Sequence, residues 1–206
     1  HCLLERLGHF AIDNHLGETF GDSSLADTRF ADQQWVVLAP SRENLGDTFH
    51  LGQTPDEWID IAGLGLGVEV GRIGIKRPLL VTDPGLLKAG LVEPVESAMA
   101  ATCEHVSLFS KVTTDPPESV VLDALEQLQS ANADGVVGLG GGSSMDVAKA
   151  IAVLATGTQT LADAYGVDKV VGGRLPLVLI PTTAGTGSEV TPVAVITTGE
   201  TTKAGI

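Results

Sequence analysis

Short apolar runs recur along the chain and predict buried β-strands, because strands covered on both faces are nearly continuous in hydrophobic residues. Stretches with helical periodicity lie between most of these runs. Strands that alternate with helices are typical of βαβ units, so the pattern predicts an α/β fold with a doubly wound, mainly parallel sheet. The predicted strands are 35–39, 78–82, 105–109, 135–139, 177–180 and 193–196.

The clearest predicted helix begins near a pair of prolines. Asp115 can cap it, Pro116 suits the first helical position, and Glu118 can bond back to the cap. The apolar positions that follow recur at i, i+3, i+4 and i+7, which predicts one buried face. That face comprises Val121, Ala124, Leu125 and Leu128. Other helices are predicted at 55–66, from the 83–85 turn to about 100, at 143–155, and from 160 to 163.

The chain divides into a poorly patterned segment, 1–50, with one predicted strand, and an α/β domain at 51–206. It begins at His1 rather than Met and ends in apolar residues, so we expect a fragment. The hydrophobic fraction of 43% allows a substantial core, and the aromatic fraction of 4% implies a core of Val, Leu, Ile and Ala. A net charge of −14 argues against nucleic acids and anionic membranes as partners.

Cys2 and Cys103 are the only cysteines. Two cysteines cannot form a disulfide framework, so a reducing cytoplasm is the expected location. No apolar run approaches the length of a membrane span. The five histidines form no close ligand pair, and we expect no metal site from this chain alone.

The segment GLGGGSSMD at 138–146 follows a predicted strand and opens a predicted helix. Backbone N–H groups of Gly141, Gly142 and Ser143 could bind a pyrophosphate at the helix N-terminus. Ser143 or Ser144 would cap the helix, and Asp146 would complete a capping box. The segment is neither a strict GxGxxG sequence nor a Walker A loop. A tight strand-to-helix turn is an equally good interpretation of the glycines alone.

A second loop, PTTAGTGSE at 181–189, follows an apolar strand and carries four hydroxyls. Such a loop suits ribose, phosphate or adenine contacts, although its hydroxyls could simply bond their own backbone. Asp83 also follows a strand, where it could bind ribose hydroxyls or merely occupy a turn. Because all three features follow strands, we expect them at one sheet edge. For Lys149, the simple interpretation is a helical ion pair with Asp146, and for Lys203, a surface position.

GGGSSMDVAKA at 140–150, PTTAGTGSEVT at 181–191 and VTD at 81–83 resemble the iron-containing (group III) alcohol dehydrogenase family. The resemblance covers about residues 50–206. It implies a Rossmann-like NAD(P)-binding domain at 51–206. In the family, a helical C-terminal domain supplies an aspartate and three histidines to iron or zinc. We expect that domain, and therefore the metal ligands, to be absent from this chain.

The resemblance also implies roles for individual residues. Asp83 would favour NAD over NADP, Asp146 would lie near the nicotinamide ribose, and Lys203 would contact the cofactor. One departure is Asp115-Pro116, where the family usually has Asn-Pro; the aspartate could weaken cofactor binding or cap the helix. The pyrophosphate would be held by Gly141, Gly142, Ser143 and Ser144, and the phosphates and adenosine half by Thr182, Thr183 and Thr186.

The expected function is NAD binding within a metal-dependent dehydrogenase of primary or secondary alcohols. The complete protein is expected to be a homodimer acting on a small alcohol or aldehyde. The catalytic residues are not identified, and the chain alone is expected to be inactive. Two alternatives are a catalytically inactive NAD-binding or dimerisation fragment, and a relative of glycerol dehydrogenase or dehydroquinate synthase. The TTAGT sequence at 182–186 favours the alcohol dehydrogenase branch.

Overall fold

The structure is a computed structural model that describes residues 35–37, 70–157, 159–199 and 201–206. It confirms the predicted alternation of strands and helices. The predicted helix at 55–66 lies outside the described residues. The elements are β1 Trp35–Val37, β2 Pro78–Val81, α1 Pro84–Lys88, α2 Glu93–Ala100, β3 Ser107–Phe109, α3 Glu118–Ser130, β4 Gly135–Gly140, α4 Gly142–Leu154, α5 Leu161–Ala164, β5 Leu177–Pro181, a 3₁₀ turn Ser188–Val190, β6 Val195–Thr198 and β7 Thr202–Gly205.

Five strands form one parallel sheet in the order β1-β5-β4-β2-β3. The strands β6 and β7 form a separate antiparallel pair, in which β6 corresponds to the strand predicted at 193–196 and β7 contains Lys203. In the parallel sheet, Val81 pairs with Gly138, and Gly140 pairs with Pro181. This register brings the carboxyl ends of β2, β4 and β5 to the same edge.

Two apolar clusters cover the two faces of the sheet, as a doubly wound fold requires. Alternate residues of β2, β4 and β5 belong to different clusters: Val136 packs with α3 and α4, whereas Val137 packs with residues of α2 and the segment before β2. All of β4 is buried. On α3, Val121, Ala124 and Leu128 are buried and Leu125 is partly buried, which confirms the predicted face.

The N-terminus of α3 differs from the prediction. The helix begins at Glu118, and its N-cap residue is Pro117, which contributes no side-chain cap. A residue before proline is pushed toward extended backbone, so Pro116 cannot begin a helix in front of Pro117. Asp115 has a left-handed φ of 51° and does not cap, and Glu118 accepts a hydrogen bond from Tyr165 instead. The predicted capping box is therefore wrong.

The stretch from 84 to 100 also differs, because it forms two short helices rather than one. The break contains Gly90, whose φ of 73° is left-handed and does not continue a helix. A proline in the first turn of α2, Pro94, then starts the second helix. Several strand ends are shifted by one or two residues, as in β6, which runs from Val195 to Thr198.

Candidate functional site

The glycine loop and the hydroxyl loop meet at the carboxyl edge of the sheet, as predicted. The Thr182 N–H donates to the Gly140 carbonyl at 2.9 Å, which continues the pairing of β4 with β5 beyond the strand ends. A Cβ atom at Gly141 would lie 3.3 Å from the Thr183 Oγ1, and one at Gly142 would lie 3.8 Å from the Thr186 Cβ. The threonines of one loop therefore lie directly against the glycines of the other.

The N-terminus of α4 is formed by glycines and has no capping side chain. Gly140 has a φ of 146°, which L side chains rarely adopt, and a Cβ there would lie 2.6 Å from the Ser144 Oγ. The N-cap residue is Gly141, and no side-chain cap is present. The predicted cap by Ser143 or Ser144 is therefore wrong. The first turn of α4 leaves its backbone N–H groups without a side-chain cap, at the positive end of a helix dipole.

The hydroxyl loop is exposed between two fixed ends. Thr182, Thr183 and Thr186 all lie on the surface. The Thr186 Oγ1 donates to the Glu189 Oε2 at 3.0 Å and accepts from the Ser188 N–H at 3.4 Å. The hydroxyl of Thr186 thus forms hydrogen bonds within its own loop, which was one of the two interpretations of these hydroxyls. Within the described part of the chain, no side-chain hydrogen bond uses the hydroxyls of Thr182 and Thr183.

Asp83 caps a helix and also lies near the glycine loop. Its Oδ1 accepts from the N–H groups of Gly85 at 2.8 Å and Leu86 at 3.1 Å, at the start of α1. Its Oδ2 lies 3.3 Å from where a Cβ of Gly140 would be. The neighbouring Thr82 is fully buried, and its Oγ1 has no hydrogen-bond partner among the described residues. Asp83 therefore combines the predicted turn role with a position at the shared edge.

Asp146 lies in a network that the sequence only partly indicated. Its Oδ1 accepts from the Ser188 Oγ at 2.7 Å and pairs with the Lys149 Nζ at 3.0 Å. Its Oδ2 accepts from the Val195 N–H at 3.1 Å. The predicted ion pair is confirmed, but both carboxylate oxygens have partners within the protein. The predicted capping box is absent because Asp146 bonds instead to Ser188 near the end of the hydroxyl loop and to Val195 at the start of β6.

Lys149 is buried, with 3% of its surface exposed. Burial lowers its pKa, and the Asp146 carboxylate opposes this shift. The Nζ donates to the Ser188 carbonyl at 2.9 Å and to the Ser188 Oγ at 2.7 Å. It also reaches the carbonyls of Thr191 at 3.5 Å and Val193. Sequence analysis missed this role; the available signal was a lysine between Ala148 and Ala150 in an otherwise apolar helix.

Lys203 pairs with the aspartate that departs from the family pattern. Its Nζ lies 2.7 Å from the Asp115 Oδ1, and both side chains are more than half exposed. The Thr197 Oγ1 donates to the Asp115 carbonyl at 3.1 Å, and the Thr197 N–H donates to the Pro116 carbonyl at 2.9 Å. The β6–β7 pair is thereby attached to the loop between β3 and α3.

Neither a metal site nor a membrane span is found in the described residues. No group of three or more His, Cys, Asp or Glu side chains there could hold a metal ion. None of the helices in that part of the chain is long and apolar enough to cross a membrane. A depression of about 740 Å³ lies at the opposite, amino edge of the sheet, near Arg77 and Asp134. Those two side chains form an ion pair there, so the free backbone donors at the carboxyl edge make the better candidate site.

A family model described as iron-containing alcohol dehydrogenase matches residues 63–206. A choline dehydrogenase from Bacillus subtilis strain 168 is 47% identical over 137 residues, which cover 65% of this chain and 34% of that protein. An NAD-dependent methanol dehydrogenase from Bacillus methanolicus is 40% identical over 141 residues, covering 66% of this chain and 37% of that protein. The chain thus spans about one third of the length of these curated relatives.

Solved structures of dehydrogenases and reductases also match this chain. A 1,3-propanediol oxidoreductase matches with a TM-score of 0.67 and 34% identity, covering 70% of this chain and 38% of that one. A sulfoacetaldehyde reductase from Bifidobacterium kashiwanohense, solved in complex with NAD+, matches with a TM-score of 0.64 and 30% identity. This match likewise covers 70% of the present chain and 38% of the reductase chain. These similarities agree with the parallel sheet and helices described above.

Proposed function

The chain belongs to the iron-containing alcohol dehydrogenase family, and we propose that it forms the NAD-binding portion of a metal-dependent alcohol dehydrogenase. One observation carries the proposal: a helix N-terminus without a side-chain cap, built on adjacent glycines, faces an exposed hydroxyl loop at the carboxyl edge of a parallel sheet. Ligands of open α/β sheets bind at that edge.

The chemistry of this edge fits a dinucleotide. The backbone N–H groups at the start of α4 offer donors and a partial positive charge to a pyrophosphate. Missing side chains at Gly141 and Gly142 allow a ligand to approach the backbone closely. Such a site compensates locally for the net charge of −14, which would otherwise repel an anionic ligand.

In this proposal the pyrophosphate is bound by Gly141, Gly142, Ser143 and Ser144. The exposed hydroxyls of Thr182, Thr183 and Thr186 bind the adenosine half and the phosphates. Lys203 contacts the cofactor from the β6–β7 pair, where it also pairs with Asp115. The position of Asp146 near the nicotinamide ribose remains a prediction, and its internal partners favour a role in holding neighbouring segments.

Asp83 carries the proposed preference for NAD. One carboxylate oxygen is used to cap α1, and the other lies toward Gly140. A carboxylate at the ribose can accept bonds from two hydroxyls, whereas the 2′-phosphate of NADP would bring two like charges together. We therefore expect NAD to bind more tightly than NADP.

The activity of the complete enzyme is part of the same proposal. Bound NAD would supply the hydride chemistry, and this chain would bind and orient the cofactor. The divalent metal, iron or zinc, would be held outside the described residues. We further propose a small alcohol or aldehyde as substrate, a homodimer as the assembly and the cytoplasm as the location. A catalytically inactive NAD-binding or dimerisation fragment is the second candidate.

Titration calorimetry of the chain with NAD and NADP tests the proposal. Gly141→Val would fill the space against Thr183, and we expect it to weaken NAD binding about tenfold, or about 1.4 kcal/mol. Gly173→Ala is the control, because a Cβ there meets no atom within 4 Å. Failure of the unaltered chain to bind NAD would contradict the proposal.

The preference for NAD is tested by Asp83→Asn, since asparagine also caps a helix but carries no charge. In this variant, the difference in affinity between NAD and NADP should be smaller than in the unaltered chain. Tighter binding of NADP than of NAD by the unaltered chain would rule out the role given to Asp83. Alcohol-dependent reduction of NAD by the chain with added Fe²⁺ or Zn²⁺ would exclude the second candidate. Inactivity of the chain alone is expected under both candidates, so NAD binding is the deciding measurement for the proposal.

A further inference from the structure

The two ends of the hydroxyl loop are anchored differently. Its first end continues β5, where the Thr182 N–H donates to the Gly140 carbonyl in the manner of a strand ladder. Its second end enters an irregular segment, 188–193, which begins with the 3₁₀ turn and belongs to neither sheet. The Val190 N–H donates to the Gly187 carbonyl within that turn, and the β6–β7 ladder begins only after the segment, where Ala194 and Ile206 exchange hydrogen bonds. Between Ser188 and Val193, something other than a β-ladder therefore has to fix the chain.

Lys149 supplies much of that attachment. Its ammonium group donates to the carbonyl and the hydroxyl of Ser188 at 2.9 and 2.7 Å. It also contacts the carbonyls of Thr191 and Val193, so one side chain serves three backbone acceptors of the irregular segment. Buried carbonyl groups need partners, and a lysine can provide up to three donors from a single point.

Asp146 completes the attachment from one turn earlier on α4. It neutralises Lys149 at 3.0 Å, accepts from the Ser188 Oγ at 2.7 Å and accepts from the Val195 N–H at 3.1 Å. The pair therefore joins α4 to the chain at both Ser188 and Val195. An ion pair buried for packing alone could often be replaced by apolar residues at little cost. What apolar residues cannot replace is the set of hydrogen bonds to this segment.

The consequence concerns the space between the two loops. The N-terminus of α4 and the Lys149–Asp146 pair belong to one rigid helix. Ser188 is two residues from Thr186, and Thr186 lies against Gly142 at the start of that helix. Fixing Ser188 to α4 thus sets how closely the hydroxyl loop approaches the glycine loop.

We propose that Lys149 and Asp146 are positioning residues for cofactor binding, which hold the second end of the hydroxyl loop at a set distance from the N-terminus of α4. The proposal rests on the NAD-binding function proposed above. This role is exerted through Ser188 and does not require contact between the pair and the cofactor. Removing the attachment should lower NAD affinity by allowing the loop to move away, without unfolding the sheet.

The test measures NAD affinity by calorimetry and folding by circular dichroism on the full chain. Lys149→Met should weaken NAD binding at least tenfold. Ser188→Ala removes the shared hydroxyl but leaves the ion pair intact, and it should weaken binding at least threefold. Ser188→Thr keeps the hydroxyl and should restore binding to within twofold of the unaltered chain. Leu128→Ala, which opens the core near the opposite edge, should lower thermal stability yet leave the affinity within twofold.

These outcomes separate positioning from a merely structural role. If Ser188→Ala loses less than threefold in affinity, the proposal is overturned, and this variant decides the matter if Lys149→Met does not fold. An equal loss in Leu128→Ala would also overturn it, because affinity would then follow stability. If the unaltered chain binds no NAD, the proposed function has failed. If the unaltered chain binds NAD and the variants bind equally well, only the positioning role has failed.

Discussion

A single added methyl group at Gly138 tests the packing on which the candidate site is built. Gly138 is buried in β4, between Val81 of β2 and Leu179 of β5. A Cβ there would lie 2.8 Å from the Ala148 Cβ and 3.0 Å from the Leu179 Cδ2. Ala148 is part of α4 and has no side-chain rotation with which to withdraw. Gly138→Ala must therefore push α4 away from the sheet.

The cost follows from overpacking. An extra methyl in a well-packed core costs about 1–3 kcal/mol. Replacing glycine by alanine in an allowed conformation recovers about 0.4–1 kcal/mol through the unfolded state. The midpoints of these two ranges give an expected net loss of about 1.3 kcal/mol for Gly138→Ala. For a chain of this size, each kcal/mol corresponds to about 2–4 °C in Tm.

Chemical and thermal denaturation followed by circular dichroism provide the measurement. Gly173→Ala makes the same chemical change in open space, and it should leave stability unchanged or raise it by up to about 1 kcal/mol. The comparison removes the effect of glycine on the unfolded chain. If Gly138→Ala is as stable as Gly173→Ala, the close approach of α4 to β4 is not what requires glycine, and the reasoning is refuted.

Two further predictions concern groups away from the candidate site. Tyr165 is the only tyrosine, so tyrosinate absorbance reports on it alone. Burial, and after it the hydrogen bond to Glu118, raises the pKa of Tyr165 well above the ordinary 10. Because the pKa is higher in the folded state, the contribution of Tyr165 to stability is complete below pH 10 and is lost as the pH rises further. The midpoint of an absorbance titration should lie at higher pH for the folded protein than for the denatured protein. In Glu118→Gln the midpoint of the folded protein should move to lower pH. Equal midpoints for folded and denatured protein would be inconsistent with the burial of Tyr165. Asp134 accepts from the N–H groups of Lys76 and Arg77 at 3.0 and 2.7 Å. Asp134→Ala should cost about 1–3 kcal/mol in urea denaturation, whereas Asp134→Asn keeps an acceptor and should cost less; equal losses would show that these bonds are not responsible.

The parts of the fold that were predicted correctly depend on residues close together in the sequence. The apolar runs of β2, β4 and β5 and the helical period of α3 are local patterns, and the structure confirms them. The proximity of the glycine and hydroxyl loops also followed, because parallel strands bring their carboxyl ends to one edge. Apart from the single helix predicted up to residue 100, which is two helices, the incorrect predictions were caps: Asp115 at α3, and Ser143, Ser144 and Asp146 at α4. A cap was expected wherever a suitable side chain stood near a helix start.

Those side chains have other roles because of partners far along the chain. Asp115 pairs with Lys203, 88 residues later, and Asp146 bonds to Val195, 49 residues later. A carboxylate can bond only one set of donors at a time, so the tertiary contact displaces the local one. The same holds for Lys149, whose partners at Ser188 and beyond lie in another part of the sequence.

The amino-acid sequence alone was sufficient to predict the alternation of strands and helices, the glycine loop at the start of α4 and the family to which the chain belongs. These predictions succeeded because hydrophobic periodicity and glycine conformation act over a few residues. The strand order, the two covered faces and the attachment of the hydroxyl loop by Lys149 and Asp146 are visible only in the folded chain. Those features arise from contacts between distant residues. Lys149 can anchor the hydroxyl loop only because the fold brings the carbonyl groups of Ser188, Thr191 and Val193 within reach of its ammonium group.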